Sequence, residues 1–297
     1  MQGLAAQFVL CLNCNGFLDF EPSNFIDFMQ KKSTKCPSCQ NSINWFDVVK
    51  KGIFDNFMEN AALGYVGCKN SIFNFVIEPN TPKELDFENY GIPSNARILF
   101  INYTPQDGNL FPIEMHGNTS TLRFKKNKVL LYPRPFHNDE QLMTTTVSVL
   151  VSWFVPNDFD NTLLNLLEGF EEYIHGNYLS VFIPANVAIE NTIYRVMDEF
   201  LKEFASTKKV EEFLTNNATY GHQLSILLPM FLSIKQQEKI PDSMMGNLSR
   251  LRRLRNEYAH NGKIENLPSK YEIAEILTSC LFIFHYMQFL YTNIYKK

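Results

Sequence analysis

At 297 residues the chain is longer than one compact core usually needs, so two or three domains are expected. A hydrophobic fraction of 45% with 20% charged residues excludes a disordered polymer, and 26 phenylalanines can fill large cores. The formal net charge of -4 excludes whole-surface attraction to nucleic acid, so any polyanion site must be a local patch.

The first segment, residues 1–60, is organised by cysteine. Leu4–Leu12 is apolar but short, follows no basic residue and runs into Cys11, so no secretory signal is expected there. Cys11-x2-Cys14 and Cys36-x2-Cys39 are two chelating pairs, and four thiolates in a tetrahedron suit one structural Zn2+. A closed ligand set leaves no open position for catalysis. Asn15–Gly16 and Pro37–Ser38 supply turn formers beside the pairs, and Lys31, Lys32 and Lys35 permit phosphate contact. The segment resembles a zinc ribbon; an iron centre of the rubredoxin type is the alternative. Cys68 and Cys280 lie in apolar or neutral surroundings, and metal-paired thiols fit a reducing cytoplasm.

Residues 61–155 change character. Ile72–Ile77, Arg97–Tyr103, Leu122–Phe124, Val129–Tyr132 and Thr144–Phe154 are β-branched or aromatic runs separated by Pro, Asn, Gly and Asp clusters. A small antiparallel β-module follows from that pattern. It shows neither a catalytic constellation nor an internal repeat.

From residue 156 the period becomes helical. Leu163, Leu164, Leu166, Leu167, Phe170 and Ile174 form a stripe that stops at Gly176. A second helix begins after Pro184, with Ile189, Ile193, Val196, Met197, Phe200 and Phe204 on one face. A third stretch, about Leu224–Gln237, is interrupted at Pro229. A fourth starts near Pro241–Ser243 and stops at Asn261–Gly262, with Leu248, Leu251 and Tyr258 as its apolar support. The last runs from about Lys270 to the end. Ile276–Tyr295 is long enough to span a bilayer and has no charged residue besides His285. Thr278, Ser279, Gln288, Thr292 and Asn293 would be costly in lipid, which favours a core or dimer-interface helix and no membrane. Sequential helices with modest connections make an antiparallel bundle.

Chemistry concentrates in the fourth helix. Asn256 and His260 are i and i+4, so they share a face, and the long side chain of Arg255 can bend toward them. Histidine can exchange a proton near neutrality, and arginine can neutralise charge developing on phosphorus. Arg250, Arg252 and Arg253 would concentrate a polyanion. Glu190 and Asn191 are candidate supports on an earlier helix. His116, His137, His175, His222 and His285 stand in no such cluster, and neither a G-x-S-x-G nor a phosphate-binding glycine loop is present.

Arg255-Asn256-x3-His260, at the end of a late helix before one long final helix, resembles the R-x4-6-H motif of HEPN domains. The resemblance covers residues 156–297. It implies an all-α HEPN-like bundle there, and with the zinc ribbon and the antiparallel β-module the chain reads as a multidomain α+β protein. It also implies a homodimer through the helical domain that pairs two motif helices. In catalytic members of that family the ribose 2′-hydroxyl attacks the adjacent phosphate without a metal, giving a 2′,3′-cyclic phosphate. By the resemblance His260 is general acid or base, Arg255 binds phosphate and Asn256 positions it. The expected function is then an RNA endonuclease of the toxin or antiviral-effector kind, restrained by a regulatory partner or antitoxin. The alternative is a non-catalytic scaffold that binds RNA or protein.

Overall fold

The computed structural model describes residues 7–55, 61–115, 127–136, 142–156 and 160–296. They form two compact units, one on Gly67–Phe159 and the other on Ala6–Val66 joined with Asp160–Lys297. The fold is mixed, with small antiparallel sheets, a C-terminal helical region and a four-cysteine cluster near the N-terminus.

The cysteine segment opens with a hairpin, β1 (Gln7–Leu10) and β2 (Phe17–Phe20), in which Leu10 pairs with Phe17. Three helices follow: α1 (Ser23–Met29), α2 (Trp45–Asp55) and α3 (Ala61–Tyr65). Trp45, Val48, Val49 and Ile53 are the buried stripe of α2. The sequence sets this segment apart as a module of its own. In the folded chain its apolar side chains instead join the core of the helical unit.

The β-module contains β3 (Lys69–Ile77), β4 (Lys83–Asp86), β5 (Arg97–Pro105), β6 (Leu110–Glu114), β7 (Lys128–Pro135) and β8 (Thr145–Phe154). They make two three-stranded antiparallel sheets, ordered β3-β8-β5 and β4-β7-β6. One core takes residues from both sheets, including Ile77, Leu85, Leu110, Leu131, Val147 and Val149. Period-two alternation produces it: Val147, Val149 and Val151 point inward on β8 while Thr146, Ser148 and Leu150 do not. Leu122–Phe124, expected as a strand, lies outside the described residues.

The helical region comprises α4 (Asn161–Ile174), α5 (Phe182–Lys202), α6 (Thr207–Asn216), α7 (Tyr220–His222), α8 (Leu228–Ile234), α9 (Asp242–Asn261) and α10 (Lys270–Tyr295). Asp160 caps α4 by accepting from the Leu163 amide at 2.8 Å, and Gly176, at φ 77°, ends it. α5 stops at Lys202, so Phe204 leaves the expected apolar face and is 66% exposed. Pro229 does not break the third stretch. The backbone passes from α7 to α8 through a π-turn at Gln223–Leu227, and proline takes an early position of α8, where a missing N–H is tolerated.

α10 is long and apolar enough to cross a membrane, yet 78% of its most apolar window is buried within the protein. It is the axis on which the cysteine segment packs. The Phe282 ring meets Phe25, Phe28 and Phe46 at centroid distances of 4.8, 5.0 and 5.5 Å. Phe20 in turn meets Phe25, Trp45 and Tyr65. A segment too small for its own core is thereby anchored on a large one.

Candidate functional site

Met244, Leu248, Leu251 and Leu254 are the buried stripe of α9, and they hold it against the unit's core. Leu254 does what was expected of Tyr258, which is only half-buried. The opposite side of the helix is polar. Gly262, at φ 66°, closes the helix by donating its N–H to the Tyr258 carbonyl at 2.8 Å. Glu257 pins the chain that leaves it, accepting from the Glu265 amide at 2.7 Å.

Two of the three expected site residues are joined. Arg255 Nη1 donates to Asn256 Oδ1 at 2.9 Å, which holds the guanidinium beside that amide. Arg255 Nε is enclosed and has no hydrogen-bond partner. His260 is exposed, one turn beyond Asn256 on the same side. Among the described residues no hydrogen bond fixes its ring. The imidazole is therefore presented to solvent, one turn beyond the amide that holds the Arg255 guanidinium.

The other arginines differ in their engagement. Arg250 Nη2 lies 2.6 Å from Glu272 Oε1, so it ties α9 to the start of α10. Glu272 also closes a capping box, accepting from the Ser269 amide at 2.8 Å while Ser269 Oγ accepts from the Glu272 amide at 3.3 Å. The Ser269 amide first and the Arg250 guanidinium next hold this carboxyl down at about 2. Arg252 is exposed and lies over Gly221, where a Cβ would stand 2.5 Å from its Nη1. Arg253 is exposed, and among the described residues neither it nor Arg252 is ion-paired. Glu190 accepts from Asn186 Nδ2 at 3.2 Å, and Asn191 is exposed.

Sequence reasoning missed Glu272 and Tyr220. Ser269-x-x-Glu272 is a readable capping-box pattern, although its link to Arg250 is a long-range fact. Tyr220 offers no such signal. Its hydroxyl is enclosed without a partner, burial pushes its phenol upward, and Glu190 and Arg252 also act on it. Of the remaining histidines, His116 and His137 lie outside the described residues. His285 stacks on Phe25 inside the core at a centroid distance of 4.3 Å.

The second cluster is the four cysteines. Two equivalent turns build it. The Cys11 amide donates to the Gly16 carbonyl and the Asn15 amide to the Cys11 carbonyl, both at 2.9 Å. The Cys36 amide donates to Asn41 and the Gln40 amide to Cys36 at the same distance. Pro37 and Ser38 stand in the second turn as expected, and Asn15 and Gln40, just after each turn, take left-handed backbone at φ 56° and 61°. All four Sγ atoms lie within 4.8 Å of one another, with Cys11–Cys39 and Cys14–Cys36 both at 3.8 Å. Thiolates about 2.3 Å from a zinc ion form a tetrahedron with edges of about 3.8 Å, so the donor set fits such a metal. The Cys39 amide, helped by that of Ser38, holds the Cys36 thiol down, whereas the Cys14 thiol, despite the Gly16 amide, is pushed up by burial and by the other three cysteines. The neighbouring lysines are largely occupied: Lys31 pairs with Glu238 at 2.6 Å and Lys32 with Asp27 at 3.0 Å.

No family model, curated protein or solved structure matches this chain.

Proposed function

We propose that the helical unit is a HEPN-like endoribonuclease whose site is the exposed end of α9. The observation that carries this reading is the pairing of Arg255 with Asn256, one turn before an exposed His260. A scissile phosphate set against Arg255 would sit within reach of that imidazole. His260 takes the proton of the ribose 2′-hydroxyl as its oxygen bonds to phosphorus. The 5′-oxygen then leaves, taking a proton from a second acid, for which the partner copy's equivalent of His260 is the candidate in a two-fold dimer. The products are a 2′,3′-cyclic phosphate and a 5′-hydroxyl, and the need for a 2′-hydroxyl selects RNA over DNA. Zinc held by Cys11, Cys14, Cys36 and Cys39 serves folding and takes no part in the reaction. A toxin or antiviral effector, held in check by a regulatory partner, is the biological role that suits such an activity.

The test is cleavage of labelled RNA without added divalent cation, wild type against His260→Ala, with identification of the product ends. Loss of cleavage in the variant, cyclic phosphate in the wild type and resistance of a 2′-deoxy substrate are expected. Equal cleavage by both proteins would remove the proposal. Because an inhibited resting state can mask activity in the tube, cell toxicity of the two proteins is compared in parallel.

A second reading is a scaffold that binds RNA without cutting it. It is favoured by the engagement of Arg250 with Glu272, which commits that guanidinium within the fold, and by the exposure of Arg252 and Arg253. It predicts RNA retention unchanged by His260→Ala and weakened by Arg252→Ala and Arg253→Ala, with a salt slope reduced by about one for each phosphate that is no longer neutralised.

A further inference from the structure

Gly221 in α7 is the place where α9 reaches across to the neighbouring helix. A Cβ at this position would stand 2.5 Å from Arg252 Nη1, 2.9 Å from its Cζ and 3.1 Å from its Nη2. The guanidinium therefore lies across the glycine, in space that any other residue would fill. Backbone conformation does not call for glycine here, because Gly221 is helical and its φ is not left-handed. Alanine is the better helix former, so the close approach of Arg252 is what sets this position apart.

The backbone under the guanidinium is braced. Ser225 Oγ donates to the Gly221 carbonyl at 2.7 Å, and the Gln223 amide donates to the Thr219 carbonyl at 3.0 Å. Gln223 Nε2 donates to the Ala218 carbonyl at 2.9 Å, and Tyr220 is buried. Arg252 is thus held in place without being neutralised. Arg250 is tied to Glu272 and Arg255 to Asn256, whereas Arg252 is exposed and among the described residues has no hydrogen bond or ion pair. The acid that acts on Tyr220 together with Arg252 is Glu190, and it accepts from Asn186 and makes no ion pair with Arg252. A permanently charged fork of donors, fixed and open to solvent, suits an oxyanion such as phosphate.

Arg252, Asn256 and His260 stand at i, i+4 and i+8, which places them along one side of α9. Eight residues of helix rise about 12 Å, so Arg252 lies well before the phosphate on which His260 would act. We infer that Gly221 is a positioning residue: by seating the Arg252 guanidinium, it builds a subsite for an RNA phosphate that flanks the scissile one. The inference rests on the reading of α9 as an RNA site, and it holds whether that site cuts or only binds.

The test uses full-length, zinc-loaded protein carrying His260→Ala, so that RNA stays intact. Fluorescence anisotropy over a salt series measures Kd for a labelled oligouridylate of about ten nucleotides. Gly221→Ala and Arg252→Ala should each raise Kd roughly tenfold and reduce the salt slope by about one. Once Arg252→Ala is present, Gly221→Ala should have no further effect. With Arg253→Ala, by contrast, the effect of Gly221→Ala on log Kd should persist in full. A purely structural role for Gly221 would not produce that selectivity. The new methyl meets only the end of a flexible side chain and favours the helix, so melting of Gly221→Ala should not fall. Three results overturn the inference: no binding of the single strand, a Kd indifferent to Gly221→Ala, or an equal loss from Gly221→Ala with and without Arg252. The nuclease reading fails separately. RNA bound through Arg252 but never cut by the protein with His260 intact removes the nuclease and leaves this subsite, whereas RNA cut and bound equally by Gly221→Ala removes the subsite alone.

Discussion

Acidification should loosen the helical unit through His285. One edge of this ring is partly open, but Nε2 is enclosed and has no hydrogen-bond partner, and one face lies flat on Phe25. Desolvation lowers its pKa from 6.5 to about 4, against an opposing contribution from the Tyr65 backbone. Above 6.5 the ring is neutral in both folded and unfolded chains, and it adds no pH dependence. As the pH falls from 6.5 toward 4, the unfolded chain takes up the proton first, so folding loses free energy. The loss is about 2 kcal/mol by pH 5 and about 3 kcal/mol by pH 4. Glu272, held at about 2 in the folded chain against 4.5, loses its stabilising contribution only as the pH falls below about 4.5, so it does not confuse the comparison between pH 8 and 5. The assay is the urea midpoint of the far-UV circular dichroism signal at pH 8, 6.5 and 5, with zinc present throughout. His285→Phe keeps a flat ring on Phe25 but gives up the hydrogen bond with the Tyr65 backbone, about 1 kcal/mol at pH 8. Its curve should then be flatter than the wild type's, and the two should cross at about pH 6, leaving the variant about 1 kcal/mol the more stable at pH 5. Proton competition at the thiolates acts on both proteins alike, so the difference between them isolates the ring. Parallel loss in both proteins, or a wild-type midpoint unchanged from pH 8 to 5, would refute the reasoning.

Three further perturbations test the architecture. Phe282→Ala removes the ring on which Phe25, Phe28 and Phe46 converge, and it should cost about 3–5 kcal/mol in chemical denaturation. Ser269→Ala breaks the capping box of α10 and should cost about 1 kcal/mol, whereas Arg250→Ala, at a partly exposed ion pair, should cost no more than about 1 kcal/mol. Cys36→Ser should abolish stoichiometric metal in elemental analysis and also lower the melting temperature of the helices. A helical melt indifferent to metal loss would show that the thiolate cluster folds independently of α10.

How much of this was readable in the sequence follows from the range of the forces involved. Pro241 and Gly262 mark both ends of α9, and Gly176 marks the end of α4, because caps and left-handed turns are local chemistry. The runs assigned to β3, β5, β7 and β8 were visible as β-branched residues between turn formers. β4 and β6 were not, since Lys83–Asp86 carries three charges in four residues and Leu110–Glu114 contains Pro112. Thr207–Asn216 buries only Val210 and Leu214, too sparse a stripe to stand out. α2 has a clear stripe, but it directly follows the second cysteine pair, so a metal-held module accounts for the segment without it. At the site, the face shared by Asn256 and His260 follows from helical period alone. The occupation of Arg250 by Glu272 and the burial of Tyr220 beside Glu190 depend on how helices meet, which no local pattern encodes.

The division of labour along α9 explains why its polar end can be altered without loss of the fold. The apolar stripe from Met244 to Leu254 and the polar ties of Asn247 to Ser279 and Arg250 to Glu272 all precede the last turn, and Gly262 ends the helix with backbone groups alone. Nothing that holds the last turn requires the His260 imidazole, which is exposed and makes no hydrogen bond among the described residues. Its substitution should therefore leave packing intact. Arg250 is the opposite case, since its ion pair couples α9 to the cap of α10, and a variant there mixes structural with functional loss. Arg253, exposed and outside that coupling, is the arginine whose substitution reports on ligand with least structural interference.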